Sequence, residues 1–456
     1  MNTIILSAIF GVVMMFSGIF IHNRSAYKSI SSVALLLLLI FNVAESHGSP
    51  IFHIDATNFL HFDKFGLLFN SICIFSTLIY VMLSGRDMEK AGNNTAEVHA
   101  LIFFVLSGIG IVTSYTNLLM LFIGIEILSI PLYILTGSDK KNLKGNEAAL
   151  KYFLMGSFST GIMLMGIALL YGSGGTFMVE GVIKDGMLSY LSALGMVLIF
   201  IALSFKVSAA PFHFWTPDVY DGAPAVITSF MATVVKVAGF AAFIRLVEGR
   251  LGSMGSQTDR LIAIVIILTL AFGNLTAVFQ QSVKRMLAYS SIAQAGFMLF
   301  ALFAVNDVAK EGLLLYAAAY SLATIGIFAV LAKMDDMTLE GFNGLSKSQP
   351  LIAALLAIFL LSLAGIPLTA GFFAKFYMLS AIVKTGKFLG LAVIGVLFAA
   401  VSAYYYFKVI QAMYFKDGNI LFSPVTARFK YLLLFVAVII VVLGIYPNAL
   451  LSLLYF

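Results

Sequence analysis

The chain has 456 residues, of which 61% are hydrophobic and only 11% charged, with a net charge of +6. An average soluble domain carries about a quarter charged residues, so this composition leaves too little polar surface to cover a water-soluble body. It marks an integral membrane protein.

Apolar stretches long enough to cross hydrocarbon as helices recur along the sequence, where a β-barrel would show short alternating segments. The first, "MNTIILSAIFGVVMMF", has no basic flank ahead of it. Arg24 and Lys28 come after it, so it is expected to remain as the first helix and not to be cleaved as a signal peptide. Fourteen spanning segments are predicted: 3–21, 30–45, 65–84, 98–116, 117–136, 148–172, 188–216, 225–247, 260–280, 285–304, 310–333, 351–380, 386–413 and 429–453. The single cysteine, Cys73, lies inside the third and reads as a small packing residue; one cysteine excludes iron–sulfur ligation by this chain.

Between segments, 14 of the 27 basic residues fall in odd-numbered loops and eight in even-numbered ones, with five inside segments. Odd loops are therefore expected on the cytoplasmic side and both termini on the other. Residues 188–216 and 351–380 exceed a normal span by about ten residues. Each contains a proline, Pro211 or Pro367, which removes a backbone donor and breaks the helix. Broken backbone at membrane depth is tolerated only against protein or a wet cavity.

Both long segments stand fourth in a group of five, 98–247 and 260–413, after an N-terminal three-helix segment 1–97 and before a C-terminal helix in 414–456. Five is an odd number, so the two groups enter the membrane from opposite sides. The expected fold is an all-α polytopic membrane protein of about fourteen transmembrane helices, with two inverted five-helix repeats that each contain a broken helix.

Four ionisable residues stand in apolar surroundings: Glu126, Lys206, Lys236 and Lys375. Each costs about 2.5–3.5 kcal/mol at a helix centre, which argues for function. The alternatives are a side chain snorkelling to the interface or a structural ion pair. A buried lysine can give up its proton and a nearby carboxylate restores its hold, whereas arginine stays charged. Two protonated lysines about 8 Å apart repel by about 2 kcal/mol at an effective dielectric near 20, enough to pass a charge state along a row.

Lys151 and Lys408 are candidates to extend that row, although Lys408 reads first as a snorkelled lysine near a helix end, and His213 is either a proton relay or a hydrogen-bonded structural histidine. His22, His47, His53, His61 and His99 fall in loops or helix ends, and "HIDATNFLHFD" is too irregular for a metal site. "YGSGGTF" reads as a flexible turn, and no dinucleotide fingerprint is present, so redox chemistry belongs elsewhere.

The stretch "FKVSAAPFHFWTPDVYDGAP" (205–224), with "GIEILSIPLYIL" (124–135), "KRMLAYSSIAQAGF" (284–297) and "SLAGIPLTAGFFAKFYML" (362–379), resembles the antiporter-like subunits of respiratory complex I. More narrowly it is similar to the N-subunit family of bacterial proton-pumping NADH:quinone oxidoreductases, related to subunit 2 of the mitochondrial enzyme. The resemblance implies a carboxylate on helix 5 at Glu126, its lysine partner on broken helix 7 at Lys206, a connecting lysine on helix 8 at Lys236 and a terminal lysine on broken helix 12 at Lys375. It implies proton translocation driven by quinone reduction elsewhere in a bacterial cytoplasmic-membrane complex.

By the same resemblance this chain itself binds no cofactor; NADH, FMN, iron–sulfur clusters and quinone belong to partner subunits. The partners implied are the other membrane subunits, sister antiporter-like chains included, together with lipid, protons and internal water, and no nucleic acid. The chain stops soon after helix 14, without the long lateral C-terminal helix of the largest sister. Two other readings stand beside this one: a subunit of a cation/proton antiporter complex, which "WTPDVYDGAP" disfavours, and a structural spacer whose ion pairs lock helices together.

Overall fold

The computed structural model describes every residue of the chain except 22, 86, 92–94, 182–188, 250–255, 419 and 456. Arg86, Lys184 and Arg250, which enter the loop-charge asymmetry, and residue 188, the expected start of the seventh segment, lie outside the described residues.

The helices are α1 (Asn2–Phe20), α2 (Arg24–Ser46), α3 (Lys64–Ser84), α4 (Thr95–Val112), α5 (Leu118–Thr136), α6 (Leu143–Gly174), α7 (Tyr190–Lys206), α8 (Trp215–Gly222), α9 (Ala225–Phe230) and α10 (Lys236–Gly249). They continue as α11 (Ser256–Val278), α12 (Val283–Ala304), α13 (Asp307–Leu331), α14 (Leu345–Ser348), α15 (Pro350–Ala364), α16 (Ala370–Thr385), α17 (Leu389–Phe415), α18 (Ala427–Ile445) and α19 (Asn448–Leu451). Twelve described helices are long and apolar enough to cross a membrane, α9 and α10 counting as one. Beside them stand two interrupted helices, α7/α8 and α15/α16. Extended pairing among the described residues is limited to four isolated bridges. The protein is an all-α membrane protein.

Helix ends are set locally. Asn23, Asp63, Asn117, Asn142, Ser189, Ser282, Asn306 and Thr426 each cap a helix by accepting a first-turn backbone N–H. Inside hydrocarbon every backbone group must be bonded internally, so runs this apolar have no alternative to the helix. α2 extends six residues before its predicted start because its polar first turns are helical too, held where Lys28 Nζ donates to the Met82 carbonyl at 2.6 Å.

Burial sorts the helices into centre and rim. The apolar window of α13 is 100% buried, against 22% for α1 and 28% for α17. α13 packs on α3, α12, α15, α16 and α18, which makes it the hub of the bundle. Small residues allow the closest seams. At α6–α7 a Cβ on Gly195 would lie 2.8 Å from the Gly166 carbonyl oxygen, and one on Gly166 2.7 Å from that of Gly195.

Both predicted breaks are present. The first runs from Val207 to Phe214 around a cis Ala210–Pro211 bond, with Ser208 at φ 64°. The second runs from Gly365 to Thr369 around Pro367, with Gly365 at φ 84° and Leu368 at φ 71°. Side chains take up backbone donors at or beside both: the Ala210 N–H donates to Thr269 Oγ1 at 2.9 Å, and the Gly371 N–H, in the first turn after the second break, to Ser362 Oγ at 3.2 Å. A third irregularity has no proline to announce it. A π-helical turn, Met231–Val235, interrupts the eighth span immediately before Lys236.

Because backbone of α6 and α7 meets at Gly166 and Gly195, Gly195→Val forces the two helices apart, an overpacking cost of about 1–3 kcal/mol. Thermal unfolding followed by fluorescence in detergent should show a lower midpoint for Gly195→Val, with Gly195→Ala falling between it and the unaltered protein.

Candidate functional site

The first cluster joins α5 to the end of α7. Glu126, Ser129 and Tyr133 recur at i, i+3 and i+7, so they share one face of α5. Pro131 within that helix deprives the Ile127 carbonyl of its usual partner. Lys206, the last residue of α7, is 9% exposed. Its Nζ donates to Ser129 Oγ at 2.7 Å and to Tyr133 OH at 3.3 Å, and lies 5.7 Å from the Tyr133 ring centre.

Among the described residues no ion pair within 4.0 Å joins Lys206 to Glu126. The lysine instead reaches the glutamate's helix face through hydroxyls. The break beyond it is pinned by Trp215, whose Nε1 donates to the Phe205 carbonyl at 3.0 Å and whose ring stacks on Tyr152. His213 is buried against Phe214 and Phe272, with no hydrogen-bond partner on Nδ1.

The second cluster is at the centre of the bundle. Lys236 is 1% exposed. Its Nζ donates to the backbone oxygen of Ser291 at 3.0 Å and to Ser291 Oγ at 2.9 Å, with the Tyr220 ring centre 5.7 Å away. Tyr220 belongs to α8, the short helix after the first break, so that break reaches both Lys206 and Lys236. Two of the three ammonium donors are thereby satisfied.

The third cluster surrounds the second break. Lys375 is 6% exposed; its Nζ donates across the break to the Ala364 carbonyl at 2.9 Å and to Ser402 Oγ at 3.4 Å, over the Phe297 ring. Between Lys236 and Lys375 runs a polar seam on α12. Ser290 Oγ and Tyr406 OH share a hydrogen bond at 2.5 Å. Gln294 Nε2 donates to Tyr406 OH at 3.0 Å and to the Leu363 carbonyl at 2.9 Å, while Tyr316 OH donates to Gln294 Oε1.

A cavity of about 10 Å³, lined in part by Gln294, Tyr316, Tyr320, Ser362 and Lys375, has room for one water. Ser321 Oγ on α13, like Ser204 Oγ and Ser229 Oγ, is buried without a protein partner. Buried polar groups almost always have a partner, so such orphans mark water positions.

The remaining predicted residues lie apart. Lys151 is partly exposed and paired with Glu147 at 2.7 Å and Asp218 at 3.1 Å; Asp218 also binds Arg285 at 3.0 Å. Lys408 is half-buried on α17, in a groove beside Tyr404 and Phe407, and makes no ion pair among the described residues.

The structure adds groups that sequence reasoning passed over. Lys284, which falls between predicted segments, is buried and donates to the Asp221 and Ala223 carbonyls at 2.8 and 2.5 Å, closing the end of α8. Ser290, Ser291 and Gln294 carried a signal, polar residues at i, i+1 and i+4 within an apolar helix, that points to a polar seam. Among the described residues no three His, Cys, Asp or Glu side chains come together to hold a metal.

The family described as NADH:quinone oxidoreductase/Mrp antiporter, TM, matches residues 115–402, the stretch that holds all three clusters. The chain is 40% identical to NADH-quinone oxidoreductase subunit N of Cytophaga hutchinsonii, over 99% of both chains. It is 37% identical to the subunit of that name from Flavobacterium psychrophilum, over the whole of both. Among solved structures, respiratory complex I from Thermus thermophilus with bound aureothin contains a chain that superposes with a TM-score of 0.86 at 31% identity, covering 99% of this chain and 98% of that one. By full-length identity and by fold, the chain belongs to the subunit N family of NADH-quinone oxidoreductases.

Proposed function

We propose that the chain is the proton-translocating membrane subunit of an NADH:quinone oxidoreductase, and that Glu126, Lys206, Lys236 and Lys375 carry the protons. One contrast supports this reading. Partly exposed lysines are matched by carboxylates: Lys151 by Glu147 and Asp218, Lys310 by Glu248, Lys333 by Asp87. Four buried lysines, Lys206, Lys236, Lys284 and Lys375, are held instead by hydroxyls, carbonyls and ring faces. A structural strut in hydrocarbon would need a carboxylate to neutralise it. An amine solvated by neutral groups can hold a proton or release it.

Lys206 ends the helix before the break at Pro211, and the Ala364 carbonyl beside the break at Pro367 accepts from Lys375; we infer that both breaks admit or exclude water as gates. Ser291 and the Gln294–Tyr316–Tyr406 seam stand between the central and terminal lysines. Lys151, paired with Asp218, ties α6 to the short helix after the first break. His213 has an open Nδ1 suited to a water, and Lys408 lies beside the terminal cluster's helix without a link to it.

In this reading the complex sits in the bacterial cytoplasmic membrane with this chain's termini on the non-cytoplasmic side. Its other membrane subunits, including sister antiporter-like chains, flank this one. NADH, FMN, iron–sulfur clusters and quinone are handled by partner subunits, whose redox reaction drives rearrangement of the charged row.

Proton uptake by inside-out membrane vesicles on NADH addition tests the carrier role. Lys236→Ala should slow uptake by at least about tenfold, since a positioned proton-transfer group contributes about 100-fold or more. Lys236→Arg keeps the charge but cannot release it, so it should fail as well. Full pumping by Lys236→Arg would make the residue a strut.

The seam makes a separate prediction. Gln294→Leu leaves the Tyr316 hydroxyl and the Leu363 carbonyl unpaired, at about 1–3 kcal/mol for each buried group. Uptake should fall in that variant and recover partly in Gln294→Glu. Equal uptake in the unaltered chain and Gln294→Leu, at equal amounts of assembled complex, would remove the seam from the pathway.

A further inference from the structure

A cavity of about 320 Å³ opens at the end of the bundle where α3 stops and α2 and α18 begin. It belongs to none of the three clusters. Among the described residues its rim carries three basic side chains, Lys28, Lys333 and Arg428, against one acid, Glu89. Lys333 is already neutralised, its Nζ 2.7 Å from both oxygens of Asp87. Lys28 is anchored on the Met82 carbonyl. Arg428 is exposed and makes no ion pair among the described residues.

The surroundings suit an anion. Ser25 and Ser29 present hydroxyls from the first turns of α2, and Thr426, the cap of α18, lines the same space. Two helix N-termini therefore face one cavity, adding partial positive charge to the basic residues. Deeper in, the lining turns apolar: Met82 and Leu83 at the end of α3, and Leu432 one turn beyond Arg428. A polyvalent anion in free solution has no use for such a floor. A phosphodiester head joined to acyl chains fits both parts, and basic pockets between transmembrane helices on the positive side of a membrane protein recognise such heads.

We propose that this cavity binds the headgroup of an anionic phospholipid, with Arg428 gripping the phosphate, Lys28 and the two helix N-termini supporting it, and Met82, Leu83 and Leu432 against the first acyl carbons. Glu89 on the rim selects against a head carrying more negative charge than the cations can match. The inference does not depend on which residues carry protons.

The test is native mass spectrometry of the assembled membrane complex, delipidated in mild detergent and given phosphatidylglycerol or phosphatidylcholine. The unaltered complex should retain one more phosphatidylglycerol than Arg428→Gln does, Arg428→Lys should keep it, and phosphatidylcholine should show no such difference. Equal retention in the unaltered complex and Arg428→Gln overturns the site.

Excess inorganic phosphate should not displace the retained lipid; displacement would assign the cavity to free phosphate and overturn the lipid reading. Should Arg428→Gln fail to assemble, a photoactivatable phosphatidylglycerol added to the unaltered complex decides. Labelling within residues 424–432 is expected, and its absence overturns the proposal.

Discussion

A protonated amine in a low-dielectric interior must be solvated by something, and this fold is organised around what does it. Lys206, Lys236 and Lys375 are nearly sealed from solvent, yet no carboxylate stands within ion-pair distance of any of them among the described residues. Hydroxyls, carbonyls and aromatic faces take that place. At Lys375 the acceptor is a carbonyl at the end of a broken helix, and at Lys206 and Lys236 the acceptors belong to polar residues facing inward, Ser129, Tyr133 and Ser291.

The three sites achieve this differently. At the first, the lysine ends its helix and leans on α5, where Ser129 stands one turn from Glu126; protonation of the amine and position of the carboxylate can be coupled without a direct bridge. At the second, a π-helical turn precedes Lys236, a feature frequent at functional sites. At the third, the amine reaches back over its own break to the Ala364 carbonyl, so any movement of Gly365–Thr369 changes its solvation. α12 and α13, among the most deeply buried elements, connect the second and third sites and give them a common frame.

Much of this was legible in the sequence. An isolated charge in an apolar run is expensive enough to be read without coordinates, and Glu126, Lys206, Lys236 and Lys375 stood out for that reason. Pro211 and Pro367 inside overlong segments located both breaks, because proline's missing N–H acts locally.

What the sequence hid depends on packing. The π turn has no proline or glycine, only the demands of the neighbouring helices. The separation of Glu126 from Lys206 by Ser129 is a matter of side-chain reach across two helices. Lys151 reads as a possible member of the row although Glu147 stands four residues before it; its second partner, Asp218, lies 67 residues away, on the far side of the break. Lys284 looked like a loop lysine until the end of α8 was seen to rest on it.

The central claim is that the deep amines change ionisation during turnover. Nitrogen-15 NMR of the assembled complex, with lysine labelled at Nζ and Lys236 assigned by its loss in Lys236→Met, measures this directly. The account predicts that the Lys236 signal moves between ammonium and neutral amine when NADH and quinone set the enzyme turning over. An ammonium signal unchanged at rest and in turnover would contradict it and leave the lysine a fixed charge.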